Sequence, residues 1–288
     1  MKNSFMNRVV KLLSKLKSME VPMDFGMPVL IELDSIESNC RLCRKLDLDF
    51  IELNMNFPEY QARHFDVEKY SELKEKYGIY FTVHLSENLD VSEANDFVRK
   101  GWLNTVASTI AFSKKISCPI INMHMNHGIY ITLPDEKVFV YEKRFDEYFE
   151  SIVHFRRFCE MQIGDGNIKI CIENTGGFTD FEKKAMNYLL ESHVFCLTWD
   201  VGHSISSNEK DMEYILAHVS KLAHFHIHDG TRTEQGGKCH QELGKGDVNL
   251  EARIALAREC NARCVIETKT VAALKNSVDW LRRNGKTD

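Results

Sequence analysis

From residue 79 to residue 267, one short apolar stretch after another ends in a side chain that can bind a metal ion. FTVHL carries His84, INMHM carries His124, ICIEN carries Glu173, and LTWDVGH carries Asp200 and His203. HFHIH supplies His226 and His228, CHQELGKG puts His240 on a loop, and CVIET carries Glu267. Carboxylates and imidazoles so far apart in sequence become neighbours only if their strands lie side by side and parallel. That arrangement gathers strand ends at one edge of a sheet or barrel.

The pattern around these stretches predicts how they are connected. Strands are expected at 28–33, 50–54, 79–85, 119–125, 168–173, 194–200, 222–228 and 262–267. Helical periodicity fills 66–77, 92–116, 142–161 and 270–283 between them. Eight β-then-α units in 288 residues predict an α/β chain folded as a (β/α)8 TIM barrel. The barrel is expected over 28–288 as a single domain, with 1–27 as a helical N-terminal extension that caps the base or joins a partner subunit. A doubly wound open sheet is the alternative, but DSIESN after the first strand lacks the glycine-rich turn of that fold.

Side chains alternate along a strand, so Tyr80, Thr82 and His84 share a face, as do Ile120, Asn122 and His124. Cys171 goes with Glu173, Thr198 with Asp200, His224 with His226 and His228, and Val265 with Glu267. The opposite faces, such as Phe81 with Val83 and Ile170 with Ile172, are apolar and suit contact with helices. The polar faces then point into the barrel, where charge is costly unless it is paired or bound to metal. Glu32, Glu52 and Asn54 end early strands on the same inner face and are expected to line the pocket. Segment 126–141 exceeds a usual βα loop; it either covers the site, with Tyr130 or Phe139 as a substrate wall, or forms a surface hairpin.

Composition excludes several classes. A net charge of −5 without a basic block argues against a nucleic-acid partner. No run approaches the ~18 apolar residues of a membrane span, and Lys11, Lys15 and Lys17 interrupt any signal-peptide core. Nine cysteines, several within apolar stretches, read as core residues of a reduced, cytoplasmic protein. Cys40-x-x-Cys43 resembles a redox motif in spacing alone.

In order and type, these motifs resemble the xylose isomerase-like TIM barrels, which include sugar epimerases and isomerases, inosose-metabolising enzymes and the endonuclease IV type of DNA repair enzyme. The resemblance runs from about residue 28 to 270 and rests on Asp200-Val-Gly-His203 and Leu243-Gly-Lys-Gly246 together with Glu173, His226 and Glu267. It implies a single divalent ion (Mn, Co, Mg or Zn) held by Glu173, Asp200, His226 and Glu267, with Glu173 and Glu267 as the catalytic acid and base. His203 and Arg232 match positions that contact substrate oxygens in the ketose 3-epimerase branch; His240 and Lys238 are further substrate-side candidates, Lys238 for an anionic end. His84 and His124 match two further ligands of the endonuclease branch. Its third ion needs an Asp-x-His pair, and Lys238 stands where that Asp would be.

The chain is therefore expected to be a metal-dependent isomerase or epimerase acting through an enediolate on a small sugar, sugar phosphate or polyol. The alternatives are a zinc-dependent AP endonuclease or phosphodiesterase and a metal-free sugar-binding barrel. Homo-oligomerisation is left open by the sequence.

Overall fold

The computed structural model describes residues 23–232 and 237–284. Eight parallel strands close into a ring: β1 (Phe25–Pro28), β2 (Phe50–Asn54), β3 (Tyr80–His84), β4 (Ile120–His124), β7 (Lys169–Glu173), β8 (Phe195–Asp200), β9 (Leu222–Ile227) and β12 (Arg263–Ile266). Each pairs with the next in that order, and β12 returns to β1. Two antiparallel hairpins lie outside the ring, β5 (Tyr130–Thr132) with β6 (Lys137–Phe139) and β10 (Asp229–Thr231) with β11 (Lys238–Gln241). The chain thus forms the expected (β/α)8 TIM barrel.

Helices surround the ring, and their starts follow from local sequence. Ser35, Asp66, Asn95, Thr179 and Asn249 each accept a backbone N–H with the side chain just before a helix. Such a cap satisfies a donor that the helix itself cannot and is worth about 1 kcal/mol. The outward strand residues, among them Ile51, Phe81, Val83, Ile170, Trp199 and Phe225, are all fully buried against the helices. Burying one such side chain stabilises the fold by about 1.5–3 kcal/mol. The inward residues Glu52, Thr82, Asn122, Thr198 and His224 are equally buried but polar, and they share the interior with Phe50, Ile120, Cys171 and Val265.

The first strand departs from expectation: it is Phe25–Pro28, not 28–33. Gly26 lets it sit against the barrel floor, because a Cβ there would meet the Phe50 ring at 2.5 Å. Pro28 stands level with Glu52, in the depth of the barrel. Val29 and Leu30 stay buried while Ile31 is exposed. The expected helical extension falls mostly on residues 1–22, outside the described residues. Segment 126–141 forms the β5–β6 hairpin, with Ile129, Tyr130, Ile131 and Leu133 exposed. Among the described residues, no helix is long and apolar enough to cross a membrane.

Candidate metal centre

Each donor reaches the mouth because of its place on a strand. Glu173 ends β7 and Asp200 ends β8, while Glu267 directly follows β12. His226 lies one residue before the end of β9 and pairs in register with Asp200 on one side and Val265 on the other. One ligand atom from each of Glu173, Asp200, His226 and Glu267 falls within a mutual 4.8 Å. His226 Nδ1 lies 3.3 Å from Glu173 Oε2, 3.4 Å from Glu267 Oε2 and 4.0 Å from Asp200 Oδ2. A second set, His84, His124 and Glu173, also falls within 4.8 Å and shares Glu173 with the first.

Neighbouring groups hold these side chains in place. Asn122 donates its amide to Glu173 Oε2 at 2.5 Å and accepts from the Thr198 hydroxyl at 2.5 Å. Asn174 and Asp200 bond reciprocally: the Asp200 N–H donates to Asn174 Oδ1, and the Asn174 amide donates to the Asp200 carbonyl. Asp200 also caps the short helix Val201–Ser206, accepting the His203 N–H at 2.6 Å. That contact accounts for the D-V-G-H spacing, since it swings the His203 ring to 3.1 Å from Asp200 Oδ2. Gly202 is small for a packing reason: a Cβ there would meet the His228 ring at 2.0 Å.

His203, His228 and His240 also come within 4.8 Å of one another, but His228 is already engaged at both nitrogens. Its Nδ1 accepts the His240 backbone N–H at 2.7 Å, and its Nε2 lies 2.9 Å from Asp200 Oδ1. An accepting Nδ1 leaves the ring hydrogen on Nε2, so His228 donates to Asp200 and steadies that carboxylate.

The four-residue set fits a divalent cation. His226 Nδ1 and Glu267 Oε2 are buried polar atoms without a hydrogen-bond partner, and both face the shared point; His226 Nε2, on the far side of the ring, makes no hydrogen bond either and lies 2.9 Å from Glu52 Oε1. Three carboxylates and one imidazole form a hard donor set suited to Mn²⁺, Co²⁺, Mg²⁺ or Zn²⁺. The alternative, a buried ion-pair network with Lys169 or Arg263, does not occur. Lys169 donates to the His193 carbonyl and Arg263 to Tyr80.

The site's electrostatics bear on pH. Burial pushes the Glu173 and Glu267 carboxyls up, but the charge on His226, with His124 for Glu173 and Lys269 for Glu267, outweighs it and holds both well below the usual range. Burial pushes His226 down, and Glu173, Glu52 and Glu267 lift it well above the ordinary 6.5. The lowered carboxyls stabilise the fold above about pH 4.5, and that contribution is lost as pH falls through their lowered values. The raised imidazole stabilises it below 6.5, and that contribution is lost as pH rises through its raised value. Protein stripped of metal is therefore expected to lose Tm with rising alkalinity. Protein loaded with Mn²⁺, where the ion replaces the proton at Nδ1, should lose much less. Calorimetry across the alkaline range checks this, and parallel curves for the two forms would contradict it.

A cavity of about 440 Å³ opens over the donors. His84, His124, Glu173, His203, His240 and Glu267 line it, together with Asn54, Asn88, Asn126 and Thr175. Arg232 and Lys238 do not line it. Arg232 pairs with Glu209 at 2.7 Å, and Lys238 is exposed on β11. Glu32 is exposed and accepts the Val271 N–H, and Glu52 lies deeper in the barrel. Tyr130 and Phe139 form no wall, since Phe139 packs on His127 and Phe181 instead.

Sequence reasoning missed Lys269, whose Nζ lies 2.6 Å from Glu267 Oε1, and His127, which lines the cavity. Lys269 follows Glu267 by two residues beyond the strand end, a position that could have raised attention. Cys40 and Cys43 are buried free thiols pushed up by burial, with no redox partner. Hydrogen bonds from His203 and then His240 instead lower the rim thiol of Cys239 to about 6.

A family described as xylose isomerase-like TIM barrel matches residues 40–284. An uncharacterized protein of Methanocaldococcus jannaschii is 25% identical over 219 residues, covering 73% of this chain and 80% of that protein. The fold is similar to a D-tagatose 3-epimerase-like protein (TM-score 0.70, 19% identity, 91% of this chain and 97% of that one). It is also similar to an IOLI protein with a bound zinc atom (TM-score 0.68, 14% identity, 91% of this chain and 99% of that one).

Proposed function

We propose, from the premise that the chain belongs to the xylose isomerase-like TIM barrel family, that it is a divalent-metal-dependent isomerase or epimerase of a small sugar, sugar phosphate or polyol. The observation that carries this reading is the convergence of Glu173, Asp200, His226 and Glu267 within 4.8 Å beneath an open cavity. The cavity exceeds the size of one monosaccharide. Its described lining contains no Phe, Tyr or Trp. A wall of amides, imidazoles, carboxylates, one hydroxyl and Lys269 offers hydrogen-bond partners to a chain of hydroxyls.

A divalent cation held by the four donors would supply Lewis acidity toward a carbonyl oxygen, which acidifies the neighbouring C–H. Proton movement then falls to the two glutamates, which enter from strands three places apart in the ring. One takes the proton and the other returns it on a different face for epimerisation. Return to the adjacent carbon from the same side gives isomerisation. Glu267 faces His226 with Oε2, so Oε1 is its proton-accepting atom, and there Lys269 Nζ must give way. His203 and His240, with Asn54, Asn88 and Asn126, line the cavity and would orient hydroxyls. Arg232 and Lys238 are turned away from the cavity, so Lys269 replaces Lys238 as the cation nearest a substrate's oxygens.

A panel of ketoses and phosphorylated ketoses incubated with Mn²⁺-loaded protein in D₂O, read by NMR, tests the reading. Exchange of a carbon-bound hydrogen next to the carbonyl is the expected result; retention across the whole panel would sink it. A second reading, metal-dependent phosphodiester hydrolysis, is favoured by His84 and His124 closing a second donor set on Glu173. Against it stand Lys238 in the place of an acidic ligand, the engagement of both His228 nitrogens, and the net charge of −5. Two or more ions per chain and cleavage of an abasic duplex would favour this reading over the first.

A further inference from the structure

Beneath the four donors lies a carboxylate with no place in the chemistry above. Glu52, in the middle of β2, is 2% exposed. Its Oε1 lies 2.9 Å from His226 Nε2 and its Oε2 lies 3.0 Å from His224 Nε2, while the Thr82 hydroxyl donates to Oε2 at 3.3 Å. No lysine or arginine pairs with it among the described residues, and a carboxylate enclosed in a barrel is expensive to bury. The His224 ring and the Thr82 hydroxyl hydrogen-bond to it, and His226 Nε2 is held against its other oxygen without a well-aligned hydrogen bond, a convergence from two other strands that is more than a packing role requires.

An ionised carboxylate only accepts hydrogen bonds. An imidazole nitrogen held 2.9–3.0 Å from that charge is repelled by it unless the nitrogen carries the ring hydrogen, as both His224 Nε2 and His226 Nε2 then must. For His226 the consequence is specific, because its two nitrogens face opposite ways: Nε2 toward Glu52, and Nδ1 toward Glu173 and Glu267. We propose that Glu52 is a positioning residue that fixes the hydrogen of His226 on Nε2 and so presents the Nδ1 lone pair to the ion. With the opposite tautomer the centre would keep three carboxylates and lose its only nitrogen ligand. His224 fills the second oxygen of Glu52, which stops the carboxylate from rotating away from His226. The inference rests on the ion-binding reading of the four donors and concerns what lies behind one of them.

The test uses the full chain and does not measure turnover. Outer partners of a metal-bound histidine typically change metal affinity by about 10–100-fold when removed, so Glu52→Gln should weaken Mn²⁺ and Zn²⁺ binding by about that factor, read by calorimetric titration. The amide keeps the size of the side chain, but its nitrogen can donate toward either imidazole, so the tautomer is no longer enforced. Wild-type affinity in folded Glu52→Gln overturns the proposal while leaving the ion site standing. Should that variant fail to fold, NMR of the ring nitrogens in Zn²⁺-loaded wild-type protein decides: a protonated Nε2 and metal-bound Nδ1 on His226 are expected, and the reverse overturns it. Wild-type protein that binds neither ion removes the site reading itself and this inference with it.

Discussion

The Glu267→Gln variant, saturated with Mn²⁺, is expected to exchange carbon-bound hydrogen about 10²–10⁴-fold more slowly than wild type, the range typical for loss of a general acid–base group. The loss should fall on kcat, because a neutral amide of the same shape still packs in the 7% exposed site but cannot take a proton at Oε1. Glu173→Gln should behave alike, since Glu173 is equally buried and faces the same imidazole. Saturating ion is essential, because either change also removes a charged ligand. A Glu267→Gln protein that exchanges hydrogen at the wild-type rate would strip that residue of its role and return the assignment to Lys269 or His203.

Removal of the ion should be nearly as damaging and easier to see. A ligand present at about a thousand times its Kd adds ~4.1 kcal/mol to stability. For a domain of this size each kcal/mol moves Tm by about 2–4 °C. Dialysis against a strong chelator is therefore expected to lower Tm by about 8–16 °C and abolish hydrogen exchange, with both restored by Mn²⁺, Co²⁺, Mg²⁺ or Zn²⁺. Protein shown to be metal-free by elemental analysis that keeps its Tm and its activity would remove the centre altogether.

Much of this was legible in the residues because a barrel writes its interior into alternation. The period of two along FTVHL or ICIEN tells which side chains point inward, and the strand end tells which of those reach the mouth. The first strand was misplaced because VLIEL is more apolar than FGMP; nothing in composition says that Gly26 is needed to clear Phe50. Lys269 keeps the parity of Glu267 but lies past its strand, where alternation no longer fixes direction, because that depends on how the chain turns into the helix Val271–Asn284. Arg232 was assigned through the resemblance, by its place six residues after His226, and its partner Glu209 comes from a different loop. Glu52 was read as pocket lining because alternation gives the side of a strand but not the depth along the barrel.

The four candidate metal donors stand at the strand ends of the ring, while His203, His240 and Lys269 stand on a short helix, a hairpin and a turn above it. Strands clasped on both sides cannot shift singly, whereas turns tolerate insertion and exchange. Changes at the rim can therefore alter what the cavity accepts while the four strand-end side chains keep their places. Related proteins that handle different compounds would be expected to agree at the centre and disagree around its edge.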